Sequence, residues 1–305
     1  MDLPRPVAGE GELLVRISAA ALNPFDAKIA NGILRDRPHV FPLVLGVDAA
    51  GRVEEVGTAT RRFQSGARIF GQFLHDPVGT GTYAEYAVVP ERIGVSLTPS
   101  VLLDRDAAAL PTAGMTAQDS LERLDPAPNS SLLLVGASGG IGSFVVPLAR
   151  ARGVRVVAVT RSASMERVRS LGATDVVDSE RPDWPDRVRS IAPHGVESAL
   201  DLMSDPKGFQ RVLELVKSGG RAASTVYAAG SAAPPSSGAH AFNIDLHPSS
   251  GLLDRLTQEV LEHRIRIPVE RTIPLEEAPQ ALAEIRAGRA VGKTVILLGE
   301  ARSVP

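Results

Sequence analysis

At 305 residues the chain has room for two ordinary domains, each with its own core. Charged residues make up 22% and apolar ones 44%, with a formal net charge of −2, so no strongly basic surface for nucleic acid or acidic membranes is indicated. There is no cysteine, which excludes disulfides, thiolate metal sites and cysteine nucleophiles and is compatible with a reducing cytosol.

The opening MDLPRPVAGEGELLVR mixes acid, base and proline and lacks an apolar run, so no signal peptide is expected and a cytoplasmic location is the reading. From Glu12 to Pro99, short apolar runs (ELLVRI, AGRVEEVG, ARIFG, YAEYAVVP) are split by Gly, Pro and Asn, the pattern of a β-rich domain with tight turns. Tyr83 and Tyr86 are read onto one strand, on one side of it, as packing residues. Between Asp104 and Arg264, strand-like runs (LLLV, VRVVAVT, TDVVD, SALDLM, GRAASTV) alternate with helical ones, as in a parallel sheet built from βαβ units. Ala228 to Ala239 reads as a low-complexity loop inside this zone. After Pro268 one amphipathic stretch, LEEAPQALAEIRAG, precedes a closing strand, KTVILL. The uncharged run Ser130–Ala149 is long enough to raise the question of a membrane span. Its central GASGG fits a strand, a turn and a buried helix better.

That turn carries the chemistry. Val135 ends an apolar strand and GASGGIG follows, with Ile141, Val145 and Leu148 recurring at helical spacing. A second strand, VRVVAVT, completes the unit that a dinucleotide site requires. Gly136, Ala137, Ser138, Gly139, Gly140, Ile141 and Gly142 are the candidate phosphate-facing residues. Gly139 is assigned the tight turn, Gly140 the close backbone approach and Gly142 the helix–strand packing. Pro147 is expected to bend the helix. NAD sites place an acid at the end of the second strand, whereas here that end reads Thr160-Arg161-Ser162. A guanidinium there suits the 2′-phosphate of NADP(H), which is the cofactor expected.

ALNPFDAK, LVLGVDAAGRVEEVG, GTYAEYAVVP, AALPTAGMTA, VGASGGIG, LGATDVVD and VGKTVIL, in this order, resemble the medium-chain dehydrogenase/reductase superfamily, in its zinc-free quinone oxidoreductase (ζ-crystallin-like) branch. The resemblance implies an α/β fold: a doubly wound Rossmann domain over 104–264, inserted into a GroES-like substrate domain made of 1–103 and 265–305. It further implies an N-terminally short substrate domain, because relatives carry an additional strand pair ahead of PRPVAGEGELLVRI. The positions matching the zinc ligands of related alcohol dehydrogenases are Asn23, Val47 and Thr112, none of them a competent ligand, and the six histidines do not cluster, so no metal is expected. Asn23, Asp26 and Lys28 are implied to lie near the nicotinamide, with Lys28 a donor to a developing enolate. Thr112 and Thr116 are candidates to contact the cofactor, and Asp48 matches an acidic position that either takes part in the site or holds a loop. A tyrosine that some quinone reductases carry after the NPxD motif is replaced by the run IANGILRD.

The expected function is NADPH-dependent hydride transfer to a small electrophile, a quinone or an α,β-unsaturated carbonyl, in a homodimer. The resemblance places its contact on the Rossmann sheet edge and FNIDLHPSSGLLDRLTQEVLEH. The alternatives are an enoyl-thioester reductase, which would want a basic entry where only Arg61-Arg62 offers one, and a non-catalytic NADPH-binding sensor.

Overall fold

The computed structural model describes residues 2–231 and 238–299. In chain order the strands are β1 (Glu12–Ala21), β2 (His39–Val44), β3 (Asp48–Val56), β4 (Arg68–Gln72), β5 (Val78–Thr80), β6 (Tyr86–Pro90), β7 (Val95–Leu97), β8 (Ser131–Val135), β9 (Arg155–Thr160), β10 (Asp175–Asp178), β11 (Val196–Asp201), β12 (Val216–Ser224), β13 (His240–Asn243), β14 (Val269–Ile273) and β15 (Lys293–Leu297). The helices are α1 (Pro24–Ala30), α2 (Asp104–Ala109), α3 (Pro111–Leu124), α4 (Gly142–Ala151), α5 (Met165–Ser170), α6 (Trp184–Ile191), α7 (Pro206–Leu213), α8 (Ser250–Glu262) and α9 (Ala278–Arg286). Two compact units result: one comprises 1–115, 248–258 and 267–305, the other 116–247 and 259–266.

The first unit is built on a sheet in the order β14-β15-β1-β3-β4-β7, with β6 also on β1. Its closing strand comes from the far end of the chain: β15 pairs antiparallel with β1, Ala21 opposite Val295. Leu13, Val15, Ile17, Val53, Ile69 and Ile296 alternate into one core with Ala278 and Ala281 of α9. Tyr83 lies outside any strand and Tyr86 opens β6, so the reading of both on one strand is corrected. Their separation of three residues also points them to opposite sides of any extended segment.

The second unit is a six-stranded sheet, order β10-β9-β8-β11-β12-β13, and every neighbouring pair is parallel. The order counts outward in both directions from β8, so the topological switch lies between β8 and β11, where Val135 faces Asp201 across the ladder. Continuous apolar runs suit these strands because both faces of the sheet are covered. Leu132, Leu133 and Leu134 are fully buried, as are Phe144 on α4 and Phe209 on α7. α4 is one unbroken helix that contains Pro147. Of the expected low-complexity loop, Ala228–Ser231 forms a short 3₁₀ turn, and 232–237 lie outside the described residues. β13 follows at once, a strand that the sequence reading did not anticipate. Among the described residues, no helix is long and apolar enough to cross a membrane.

Candidate functional site

In the second unit the chain leaves β8 into the glycine turn. The residue that requires glycine for its backbone is Gly136, at φ +88°, so the tight turn belongs there and the assignment to Gly139 is corrected. The reversal starts as soon as the strand ends: Gly136 and Ala137 both donate their N–H groups to Val159 O, at 3.1 and 3.3 Å. Gly142 has the packing role expected of it. A Cβ there would lie 2.6 Å from Ala137 O and 2.7 Å from Ala137 C and Cα, backbone that has nowhere to go. At Gly139 a Cβ would meet only Gly136 O at 3.5 Å, so the inside of the turn has open room.

Gly139 N–H is spent on Gly136 O, and Gly139 O accepts from both Ser143 N (3.0 Å) and Ser143 Oγ (2.7 Å), which pins the first turn of α4. Among the described residues, the N–H groups of Ser138, Gly140 and Ile141 donate to no acceptor. Three unspent donors ahead of a helix start, around an open glycine, form a cradle that a pyrophosphate fits.

At the end of β9, Thr160 is buried with its hydroxyl unpartnered. Arg161 follows in an extended conformation and its guanidinium engages no partner among the described residues. Ser162 is exposed, and its N–H donates to Glu180 Oε2 at 3.1 Å. The sequence places no acid directly at this strand end. The fold brings one from the neighbouring strand, because Ser179 N–H donates to Thr160 O and carries Glu180 alongside. Thr116, on α3, is buried, and its carbonyl accepts from Ser120 Oγ at 2.6 Å.

The first unit holds a separate polar cluster. Asn23 caps the N-terminus of α1 and is buried, as are Asp26, Asp48 and Lys293. Asn23 Nδ2 donates to Asp48 Oδ2 (2.9 Å) and Ala21 O (3.3 Å), while Asn23 Oδ1 accepts from Lys293 Nζ at 2.6 Å. Lys293 Nζ also donates to Leu22 O at 2.9 Å. Asp48 receives Thr112 Oγ–H on Oδ1 (2.6 Å) and Thr112 N–H on Oδ2 (3.0 Å), and Gln72 Nε2 donates to Thr112 Oγ1 at 2.8 Å. Asp26 Oδ2 accepts Asn23 N–H and Tyr83 O–H, each at 2.7 Å, and Asp26 Oδ1 has no partner. Burial pushes the Asp26 carboxyl from 3.8 up to about 7, against the hydrogen bonds from Tyr83 and Asn23 and the pull of Lys293. Burial likewise raises Asp48, which Lys293 opposes, and lowers Lys293, which both carboxylates oppose.

The structure therefore gathers Asn23, Asp26 and Thr112 but not Lys28. Lys28 is exposed on the last turn of α1, outside this buried cluster. Two positions along a helix rotate a side chain by about 200°, so burying Asp26 turns Lys28 away. The ammonium of the cluster is Lys293 instead. The only hint of it in the sequence is a lone cation at the head of the apolar run TVILL.

Asn23, Val47 and Thr112 do not suit a zinc ion. Asn23 Oδ1 is taken by an ammonium, Val47 is apolar and buried, and the Thr112 hydroxyl is directed at Asp48. Among the described residues, no group of three or more His, Cys, Asp or Glu is placed to hold a metal.

Two family models match the chain: the alcohol dehydrogenase GroES-like domain over residues 9–99 and the zinc-binding dehydrogenase domain over 140–248. The 2-methylene-furan-3-one reductase of Solanum lycopersicum is 31% identical over 300 residues, covering 95% of this chain and 73% of that protein. The chloroplastic NADPH-dependent alkenal/one oxidoreductase of Arabidopsis thaliana is 29% identical over 303 residues, with the same coverages of 95% and 73%. Matches to chloroplast quinone oxidoreductase homologues span only 54–57% of their length. The solved quinone oxidoreductase from Coxiella burnetii superposes with a TM-score of 0.88 at 26% identity, over 98% of this chain and 94% of that one. Together with the parallel sheet switching between β8 and β11 and the glycine turn at its head, these matches establish that the chain belongs to the medium-chain dehydrogenase/reductase superfamily, in its quinone oxidoreductase branch.

Proposed function

We infer that the protein is an NADPH-dependent oxidoreductase that reduces a quinone or an α,β-unsaturated carbonyl. The observation that carries this is the glycine turn: three unspent N–H groups around an open Gly139, with an unengaged guanidinium at Arg161. Support for the chemistry comes from relatives named as an alkenal/one oxidoreductase and a 2-methylene-furan-3-one reductase. Bound at the turn, NADPH supplies a hydride. Ser138, Gly140 and Ile141 would hold its pyrophosphate through their N–H groups, and Arg161 its 2′-phosphate. Asn23, Asp26 and Thr112 act as one unit, because each is hydrogen-bonded to another member of the buried cluster, so their positions depend on one another.

Zinc independence is part of this reading. Its support is the donor set, an amide already bonded to an ammonium, a valine and a committed threonine. A thioester substrate is disfavoured by Arg62, whose guanidinium is spent on the carbonyls of Glu91 and Val95 instead of forming a basic entry. Homodimer formation through β13, the edge of the six-stranded sheet, belongs to the same reading and is tested by analytical ultracentrifugation. A cytosolic compartment, with which the lack of cysteine is compatible, belongs to the same reading; cell fractionation tests it.

The experiment for function is NADPH oxidation with 9,10-phenanthrenequinone and with an alkenal, in wild type and Arg161→Asp. Turnover with NADPH that falls in the variant while NADH turnover holds or rises is the expected result. NADPH binding without turnover on any acceptor would leave a sensor, and an unmoved NADPH/NADH ratio would take Arg161 out of the cofactor site and point to Glu180 and its surroundings.

A further inference from the structure

The polar cluster of the first unit holds more than the residues a reductase reading names. It contains two carboxyls, Asp26 and Asp48, and one ammonium, Lys293, all buried. Asn23 joins them: its side-chain amide bonds Lys293 and Asp48, and its backbone N–H donates to Asp26. Because Lys293 can only donate, and Ala21 O and an ionised Asp48 can only accept, the Asn23 amide has one orientation that satisfies all three: oxygen to Lys293, nitrogen to Ala21 and Asp48.

The two carboxyls are provided for unequally. Three hydrogen bonds converge on Asp48, on both of its oxygens: from Asn23 Nδ2 at 2.9 Å, Thr112 N at 3.0 Å and Thr112 Oγ1 at 2.6 Å. Gln72 Nε2 donates to Thr112 Oγ1, which directs the threonine proton toward Asp48. This is the solvation an oxyanion needs in a dry interior. Asp26 receives two hydrogen bonds, both on Oδ2, and leaves Oδ1 bare and fully enclosed. A bare buried carboxylate oxygen is costly, while a bare carboxylic O–H costs far less, since one charge has been removed. With Asp26 neutral, the cluster also balances at one ammonium to one carboxylate. The groups facing Asp26 are Tyr83, Asp48, Lys293 and the Asn23 backbone, and there is no second cation among them.

We propose that Lys293 is a positioning residue of the candidate site, an internal ammonium that fixes the Asn23 amide and pairs with Asp48, and that Asp26 is held beside it as a neutral acid with its proton on Oδ1. The consequence for turnover rests on the functional reading above, because Asn23 presents to a substrate only what Lys293 leaves it. The charge assignment does not depend on that reading.

The test uses the full chain and no substrate. Infrared difference spectra across pH 7 are expected to show the C=O band of a dry, neutral carboxyl that fades as the pH rises and is absent from Asp26→Asn. A wild type without that band, or a variant that retains it, overturns the assignment to Asp26. For Lys293, thermal melts of Lys293→Met, Asp48→Asn and the double variant form a cycle. Lys293→Met strands an ionised Asp48, so the double variant is expected to lose less than the sum of the singles. Should Lys293→Met fail to fold, recovery of the fold in the double variant is the same result. Additive losses, or a double variant that does not fold where Asp48→Asn does, overturn the pairing. A protein with no reductase activity that passes both tests would refute the function and leave this proposal standing.

Discussion

Placing a methyl group at Gly142 and at Gly139 separates the two jobs of the glycine turn. At Gly142 the new Cβ would stand 2.6 Å from Ala137 O and 2.7 Å from Ala137 C and Cα, distances that real Cβ atoms do not keep. The obstacle is backbone, so α4 or the turn must shift. Overpacking of this kind costs about 1–3 kcal/mol, against a gain of at most ~1 kcal/mol from replacing a helical glycine by alanine. The clash wins, and Gly142→Ala is expected to lower the melting temperature by roughly 2–10 °C. At Gly139 the nearest atom is Gly136 O at 3.5 Å, an ordinary contact, so Gly139→Ala is expected to melt within about 1–2 °C of wild type. Its methyl group fills the room inside the cradle instead. NADPH affinity, read by isothermal titration, is expected to fall at least ~10-fold, a loss of about 1.4 kcal/mol. The reverse pattern, with Gly142→Ala unchanged in stability or Gly139→Ala binding NADPH like wild type, would refute the cradle.

Three further outcomes follow from packing and charge. The Asp26 carboxyl sits above its unfolded value, from 3.8 up to about 7, so the folded state binds the extra proton. Stability is therefore highest below pH 4 as far as this group is concerned and declines as the pH rises from there through 7. The loss is of order 4 kcal/mol, seen as a falling chemical-denaturation midpoint that Asp26→Asn flattens over the same window. Arg152 is fastened to Glu259 by two hydrogen bonds of 2.8 Å, and its Nη2 also reaches Gln118 Oε1 at 2.8 Å. Arg152→Met should cost about 1–3 kcal/mol by urea denaturation, because it removes all three bonds and strands the Glu259 carboxylate, and Glu259→Gln less, because the amide oxygen still accepts from the guanidinium. Phe209→Ala empties a fully buried site on α7 beneath the parallel sheet and should cost about 3–5 kcal/mol, and a loss under ~1 kcal/mol would contradict that packing.

Five of the six strands of the parallel sheet are legible as apolar runs because a sheet covered on both faces needs no alternation. The sixth, His240–Asn243, is not: its HAFN is short, half polar and adjoins a Ser/Pro/Gly run that masks it. The glycine turn is legible as a unit, yet which glycine bears the positive φ is not, since any of the four could. Glu180 escapes because it arrives from the next strand, 18 residues beyond Ser162. The cluster of the first unit is the hardest case. Asn23 and Asp26 stand close in sequence, but Tyr83 lies 57 residues from Asp26 and Lys293 lies 270 residues from Asn23. Such pairs are set by strand register, here Ala21 against Val295, and no local pattern encodes it.

That register also orders events during synthesis. Strand β1 and the carboxyls of Asp26 and Asp48 leave the ribosome well before the cation that compensates them, since Lys293 lies 270 residues after Asn23. Until β15 docks along β1, burial of Asp26 and Asp48 has no counterion to favour it. The unit that holds β1 thus closes only when β15 has been made, and a chain truncated before Lys293 would keep that interior open to water.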